Sequence, residues 1–447
     1  MMELNFKKYL QVITYLFLLG TNAYSYADTI PFDSDRWQFI PDPFQFIPFE
    51  STIKTHLDQQ SLALNQGYAV IKDSELTDGI IEYDIALTSN KGYGGAIWHI
   101  QGPNNEMFYL RPHQSGNPDS TQYTPTINGV SAWQLYEPTV SIEYPFNEWI
   151  HVKMVISGKN AEAYIQDMEN PAVTMKLNGN TQSGQVGLQA NIAMPTVPIH
   201  FANFSFTPME NPPLKKVPQP VDVAAGTIMS WMISDSFKAE ALNNKFYLTE
   251  EDRQKYTWTE LVSENSGLAN LTKIQGIQQG KNTVFARVTI VSEQEQIKPL
   301  KFGFSDNAKV YFNGQLISGG SDVYKSRDYR FLGTIGYFDD VYLPLKQGNN
   351  ELWIAISEED FGGWAVQAKL EDMVGIKAIT TVKQGNLNSQ IDTYNSCMAN
   401  YSLDGNLYIP CILVPVADSD TTVLFEADLK QQSESPLTFE VENVKPR

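Results

Sequence analysis

The chain has 447 residues, enough for two to four domains that each bury a core of their own. With 51 acidic against 32 basic side chains it carries a formal charge of −19. That excess runs along the whole length and argues against a nucleic-acid partner or an anionic membrane surface, both of which need basic patches.

Residues 1–27 read as an export signal peptide, not as fold. Lys7 and Lys8 precede the apolar run Tyr9 to Gly20, and Ser25-Tyr26-Ala27 offers the small residues a signal peptidase requires. The run is too short to span a bilayer, so no membrane insertion is expected once the leader is cut near Asp28. The mature chain is therefore expected outside the cytoplasm, periplasmic or extracellular.

From about 28 to 208 the chain reads as a series of strands. Ile80 to Leu87, Ile150 to Ile156 and Ala163-Tyr164-Ile165 alternate apolar and polar residues, and Gly184 to Gln189 leads to Ile199 to Phe206. Antiparallel sheets with one dry and one wet face produce this pattern. Between these runs lies the segment that carries the most chemistry, Trp98 to Tyr136. Taken as a strand, residues 109 to 113 project Tyr109, Arg111 and His113 from one face, with Trp98, Trp133, Gln134 and Tyr136 nearby in sequence. Rings that stack on sugars, set beside directional hydrogen-bonding groups, suit a carbohydrate site. These seven residues are the candidate ligand-binding set, expected to converge on one concave face. Arg111 and His113 have a second reading, as anchors for a loop from 114 to 132 that contains Asp119, Gln122, Tyr123 and Asn128.

The order of a strand ending Asp84-Ile85-Ala86-Leu87, a Gly-rich turn, Tyr109-Leu110-Arg111-Pro112-His113, Asn147-Glu148-Trp149-Ile150-His151-Val152-Lys153, Gly187-Leu188 and Phe201-Ala202-Asn203-Phe204 resembles the concanavalin A-like lectin/glucanase sandwich. Its laminin-G-like and 3-keto-disaccharide hydrolase-type branches are the most similar. The resemblance implies a two-sheet sandwich and a carbohydrate partner. Glucanases of that fold carry Glu-x-Asp-x-x-Glu along one strand; here Glu82 and Asp84 stand at the first two positions and Leu87 at the third. Ordinary retaining glucan hydrolysis is therefore not expected, and the pair Glu82 and Asp84 reads as a solvated strand face.

Residues 209–222 hold four prolines and read as a semi-rigid linker, so that the pieces on either side should melt separately. From 223 to 373, Val310-Tyr311-Phe312-Asn313-Gly314, Leu345 to Leu352 and Gly362-Gly363-Trp364 resemble, in this order, a galactose-binding-like jelly roll. Thr249 caps a predicted short helix over Glu250 to Lys255. Trp231, Trp258 and Trp353 read as core, and Trp364 as core or platform.

Residues 385–447 read as a small β module. Asp404-Gly405 marks a hairpin, and Cys397 and Cys411, the two cysteines of an exported chain, are predicted to staple it with a disulfide. The spacing of His99, His113 and Asp119 matches no metal motif. No cofactor is indicated apart from a structural Ca²⁺, for which Asp306, Asp339 and Asp340 are the oxygen donors. The sequence thus predicts an all-β, multidomain, exported bacterial protein that binds carbohydrate through its N-terminal sandwich. A glycoside-cleaving enzyme of the 3-keto-disaccharide hydrolase type and a sugar-independent adhesive or structural surface protein stand as alternatives.

Overall fold

The computed structural model describes residues 28–43, 47–136, 140–192, 197–278, 280–323, 334–359 and 362–381, with 400–401, 407–408, 425–431 and 439–446 of the tail. The predicted leader, Cys397 and Cys411 lie outside the described residues. Residues up to Thr381 form one compact unit, and those from Val382 form a second.

The chain is almost all β. Its first part is two facing antiparallel sheets. One runs in spatial order β1 (Trp37–Pro41), β4 (Gln66–Ile71), β13 (Gln185–Ile192), β6 (Gly92–Gln101), β7 (Asn104–Leu110), β8 (Thr121–Ile127) and β9 (Val130–Ser131). The other runs β12 (Val173–Lys176), β11 (Asn160–Ile165), β10 (Trp149–Ser157), β5 (Gly79–Ala86), β14 (Ile199–Pro208), β3 (Gln59–Leu64) and β2 (Ser51–His56). Alternation along β5 sends Ile81, Tyr83 and Ile85 inward, where they meet Trp98, Phe108 and Leu188 of the facing sheet. Two of the two-residue hairpin turns have positive φ at both positions, as a type I′ turn needs. Leu57 and Asp58 (φ 45° and 62°) join β2 to β3, and Asn128 and Gly129 (φ 51° and 80°) join β8 to β9.

The second part repeats the architecture. One sheet runs β16 (Trp258–Val262), β15 (Ser230–Ser234), β18 (Thr283–Ser292), β23 (Gly348–Ser357), β20 (Asn307–Phe312) and β21 (Gln315–Ser321), with β25 (Ile376–Thr380) also on β18. Opposite it lie β17 (Ala269–Asn270), β24 (Ala365–Leu370), β19 (Gln296–Ser305) and β22 (Asp339–Leu345). Trp231 and Trp364 fill the core between them. Trp353 instead faces outward, under a third layer of Phe237, Leu242 and Leu248, and Arg287 sits 4.3 Å over the half-buried Trp258 ring. The predicted helix is α1 (Glu250–Gln254), where Thr249 and Asp252 cap each other reciprocally. In the tail, β26 (Asn400–Tyr401), β27 (Leu407–Tyr408), β28 (Phe425–Gln431) and β29 (Phe439–Pro446) form an antiparallel sheet.

The two sandwiches meet through a small core of their own. Ala132 and Leu135 pack with Leu268, Ile335 and Ala365. Backbone bonds cross there from Gln134 N to Gly362 O (2.8 Å) and from Ile335 N to Gln134 O (3.1 Å). A Cβ at Gly363, whose φ is 136°, would stand 2.5 Å from Leu135 Cγ, so only glycine permits this approach. The proline-rich linker is likewise held against the first sandwich. Asn211 N donates to Asp78 Oδ2, Lys216 N to Glu162 Oε1, and Lys215 Nζ to Glu169 O.

Candidate functional site

The seven candidate residues do not share one face. Period-two alternation along β6 puts Ala96 and Trp98 inward, and Trp98 is fully buried in the first core. The strand carrying Tyr109 stops at Leu110, because Pro112 opens a 3-10 turn over Pro112–Gln114 and has no N–H to extend a ladder. Tyr109 therefore faces outward, while Arg111 and His113 sit at the strand's end. Arg111 Nη1 donates to Asp119 Oδ2 at 3.0 Å, and His113 Nδ1 lies 3.1 Å from Gly92 O. Both tie down the segment that follows, as their anchoring reading expects. Burial and the nearby Arg111 charge lower the His113 pKa to about 4, so its ring is neutral at pH 7. The predicted loop from 114 to 132 is shorter than expected, since Thr121–Ile127 is strand β8.

Gln134 and Tyr136 fold into the junction between the sandwiches, and Trp133 precedes them in the same turn. Gln122 Nε2 fixes this turn by donating to Trp133 O (3.0 Å) and Tyr136 O (2.9 Å). The Tyr136 hydroxyl donates to Glu264 Oε1 of the second sandwich at 2.9 Å. The ring of Tyr136 lies 6.1 Å from Tyr123, which in turn stacks 6.5 Å from Trp98. Two of the seven, Gln134 and Tyr136, thus belong to a domain contact, and Trp98 to the core.

What Tyr109 joins is a row that register alone defines. Opposite residues across neighbouring antiparallel strands share a face. The pairs Tyr68 with Gln189, Gln189 with Gly95, Gly95 with Tyr109 and Tyr109 with Gln122 set these side chains in line on the outer face of the first sheet. Tyr93 and Asn191, paired with each other, form the next row on that face. The Tyr93 and Tyr109 rings stand 4.4 Å apart, and Gly95, packed against the backbone of Phe108 and Tyr109, holds the place in the row between Gln189 and Tyr109. Tyr68 and Tyr93 remain partly exposed, whereas Tyr109 and Gln189 are buried at 6% and 3% exposure. Among the described residues Gln189 Oε1 has no hydrogen-bond partner, a costly state for a buried acceptor. Burial raises the pKa of all three tyrosines, so their hydroxyls stay protonated, with the Arg111 charge opposing the shift at Tyr93 and Tyr109. Arg111 is therefore the one candidate that is both a loop anchor and a neighbour of the ring pair.

The other sheet's outer face is not simply a solvated one. His151 Nδ1 lies 2.7 Å from Asp84 Oδ1, and its Nε2 lies 3.5 Å from Glu82 Oε1. The hydrogen bond to Asp84, then that to Glu82, lifts the His151 pKa to about 9, so an imidazolium bridges the two carboxylates at pH 7. Asn203 Nδ2 also donates to Asp84 Oδ2 at 2.6 Å. Nearby, His56 and His200 stack at 3.7 Å, and Ser61 Oγ, which donates to Lys54 O, accepts from His200 Nδ1 at 3.0 Å.

The three candidate metal-binding residues go to different partners: His99 to Glu106 and Thr77 O, His113 to Gly92, and Asp119 to Arg111. Of the proposed calcium donors, Asp340 pairs with Lys301 at 2.9 Å and Asp306 accepts from Glu359 N. Among the described residues no three His, Cys, Asp or Glu side chains cluster as a metal set.

No protein-family model matches the chain, and no curated protein matches it either. Among solved structures, it is similar to the carbohydrate-binding module CBM66 from Bacillus subtilis at 13% identity and a TM-score of 0.30, over 39% of this chain and 96% of that one. A Bacillus licheniformis β-glucanase is similar at 11% identity and a TM-score of 0.32, over 42% of this chain and 99% of that one. A Bacillus subtilis protein described as having a galectin-like fold is similar at 10% identity and a TM-score of 0.29, over 41% and 96% of the two chains.

Proposed function

We propose that this is an exported carbohydrate-binding protein whose first sandwich engages glycan on the outer face of its first sheet. The observation that carries the reading is the row Tyr68, Gln189, Gly95, Tyr109 with Tyr93 beside it. A pyranose presents C–H groups that bury apolar area against a tyrosine ring and hydroxyls that need partners. Tyr68 and Tyr93 supply the partly exposed rings of this face, and Gln189 Oε1, without a hydrogen-bond partner among the described residues, is an acceptor in the same row. Protonated tyrosine hydroxyls and the Arg111 guanidinium supply donors. The Glu82 and Asp84 pair lies on the other sheet and is engaged by His151, which favours binding over cleavage.

A glycan array probed with the mature chain tests this. The Tyr68→Ala variant should lose at least about tenfold in affinity for any glycan that binds, about 1.4 kcal/mol. Glycan binding that survives both Tyr68→Ala and Tyr93→Ala refutes the face. Release of reducing sugar on incubation would instead favour the hydrolase alternative, and absence of any glycan ligand the structural one.

A further inference from the structure

The junction between the sandwiches forms a cleft open to solvent, of about 610 Å³, within the range of small-molecule sites. It is distinct from the tyrosine face. Its floor is apolar, from Phe108, Met175, Leu268 and Ile335, and the rings of Tyr123, Tyr136 and Tyr337 stand in its walls. Asn178, Ser266, Thr174 and Gln367 add polar edges. The Tyr123 hydroxyl is fixed, donating to buried Glu106 at 2.6 Å and accepting from Asn178 N at 2.7 Å.

Charge distinguishes this place from the rest of an acidic chain. The carboxylate that lines it, Glu264, is already engaged by Lys273 at 2.8 Å and by the Tyr136 hydroxyl. Lys176 lines the cleft, is exposed, and forms no ion pair among the described residues. Lys369, also outside any ion pair there, holds its ammonium 4.8 Å over the Tyr337 ring. With Glu264 neutralised, Lys176 is a cation in the lining of an aromatic cleft, and Lys369 lies over the ring of the lining Tyr337, in a chain of net charge −19. A ligand that satisfies all of these groups needs a flat C–H face for the rings, hydroxyls for the amides, and an anion for the lysines.

We propose that this cleft is a second binding site, selective for an acidic saccharide, one carrying a uronic-acid carboxylate. The carboxylate meets Lys176, and the sugar ring stacks on Tyr337. Because both sandwiches contribute walls, occupancy also fastens the junction. This goes beyond the face proposed above and does not depend on it.

The test is calorimetric titration of the full mature chain with tetragalacturonate and, in parallel, cellotetraose. Tetragalacturonate is expected to bind at one site, with affinity that falls as salt rises. Lys176→Gln, an exposed substitution that spares the fold, should weaken it at least fivefold, and Tyr337→Ala likewise. The Tyr68→Ala variant of the sheet face should leave it unchanged, which separates failure here from failure of the face. Three results overturn the proposal: no tetragalacturonate binding, binding indifferent to both junction variants, or cellotetraose bound as tightly and equally sensitive to Lys176→Gln.

Discussion

His200 should make the first sandwich acid-sensitive by a calculable amount. Its ring is 6% exposed, stacked on His56 and bonded to Ser61, with Lys54 nearby. Burial first, and then the His56 and Lys54 charges, lower its pKa from 6.5 to about 4. Above pH 6.5 the ring is neutral in both folded and unfolded chains, and the stability is fully present. As pH falls through 6.5 toward 4 the unfolded chain takes up a proton that the folded one refuses, so stability is lost. At roughly 1.4 kcal/mol per pH unit, this removes about 3 kcal/mol by pH 4. The assay is urea unfolding of wild type and His200→Gln from pH 4 to 8 at fixed ionic strength. The variant loses the stacking but cannot protonate, so its stability should fall by about 3 kcal/mol less over that range. Parallel profiles for the two proteins would refute the reasoning.

Three further outcomes are expected. Asp84→Asn removes the largest cause of the raised His151 pKa, so that value should drop from about 9 toward 6.5 in an NMR titration; a value still near 9 would mean Glu82 alone sustains it. Gly363→Ala should force Leu135 aside and cost about 1–3 kcal/mol. The linker alone would let the sandwiches melt separately, but the junction core should couple them into one transition, which Gly363→Ala should split in calorimetry; an unchanged melt would show that the junction core does not couple them. Arg111→Lys keeps the charge and loses the planar guanidinium whose Nη1 bonds Asp119. It should lower the melting temperature and weaken glycan binding together, and a fall in melting temperature alone would restrict Arg111 to the loop.

The all-β architecture was legible because alternation in residues 80 to 87 and 150 to 156 fixes which face each side chain takes. The same rule, followed along β6, would have sent Trp98 inward, as two residues from Ala96. The strand reading failed at Pro112, where the missing N–H ends the ladder. Tyr68, Tyr93 and Gln189 escaped notice because alternation gives a face but not a neighbour. Tyr68 and Gln189 are distant in sequence and meet only through the pairing of β4 with β13, which depends on the order of strands in the sheet. Gln134 and Tyr136 were recognised as informative, but polar and aromatic side chains at a domain contact resemble those of a ligand site. The proline content of residues 209–222 suggested a semi-rigid linker. It carried no sign of the partners, Asp78 and Glu162, that the chain lies against.

Those partners determine where the first sandwich can be cut. Glu162 is buried on β11, with one carboxylate oxygen accepting from Tyr164 OH and the other from Lys216 N. A fragment ending at Pro208, where its last strand ends, would uncover Ala132 and Leu135 of the junction core and would also strip the second oxygen of its donor. An orphaned buried carboxylate costs more than the bond that satisfied it. A soluble fragment therefore needs residues 209–222 as a strap, although they belong to no strand. For the same reason a protease should find this proline-rich stretch a poor substrate, since its backbone is held against the protein at Asn211 and Lys216.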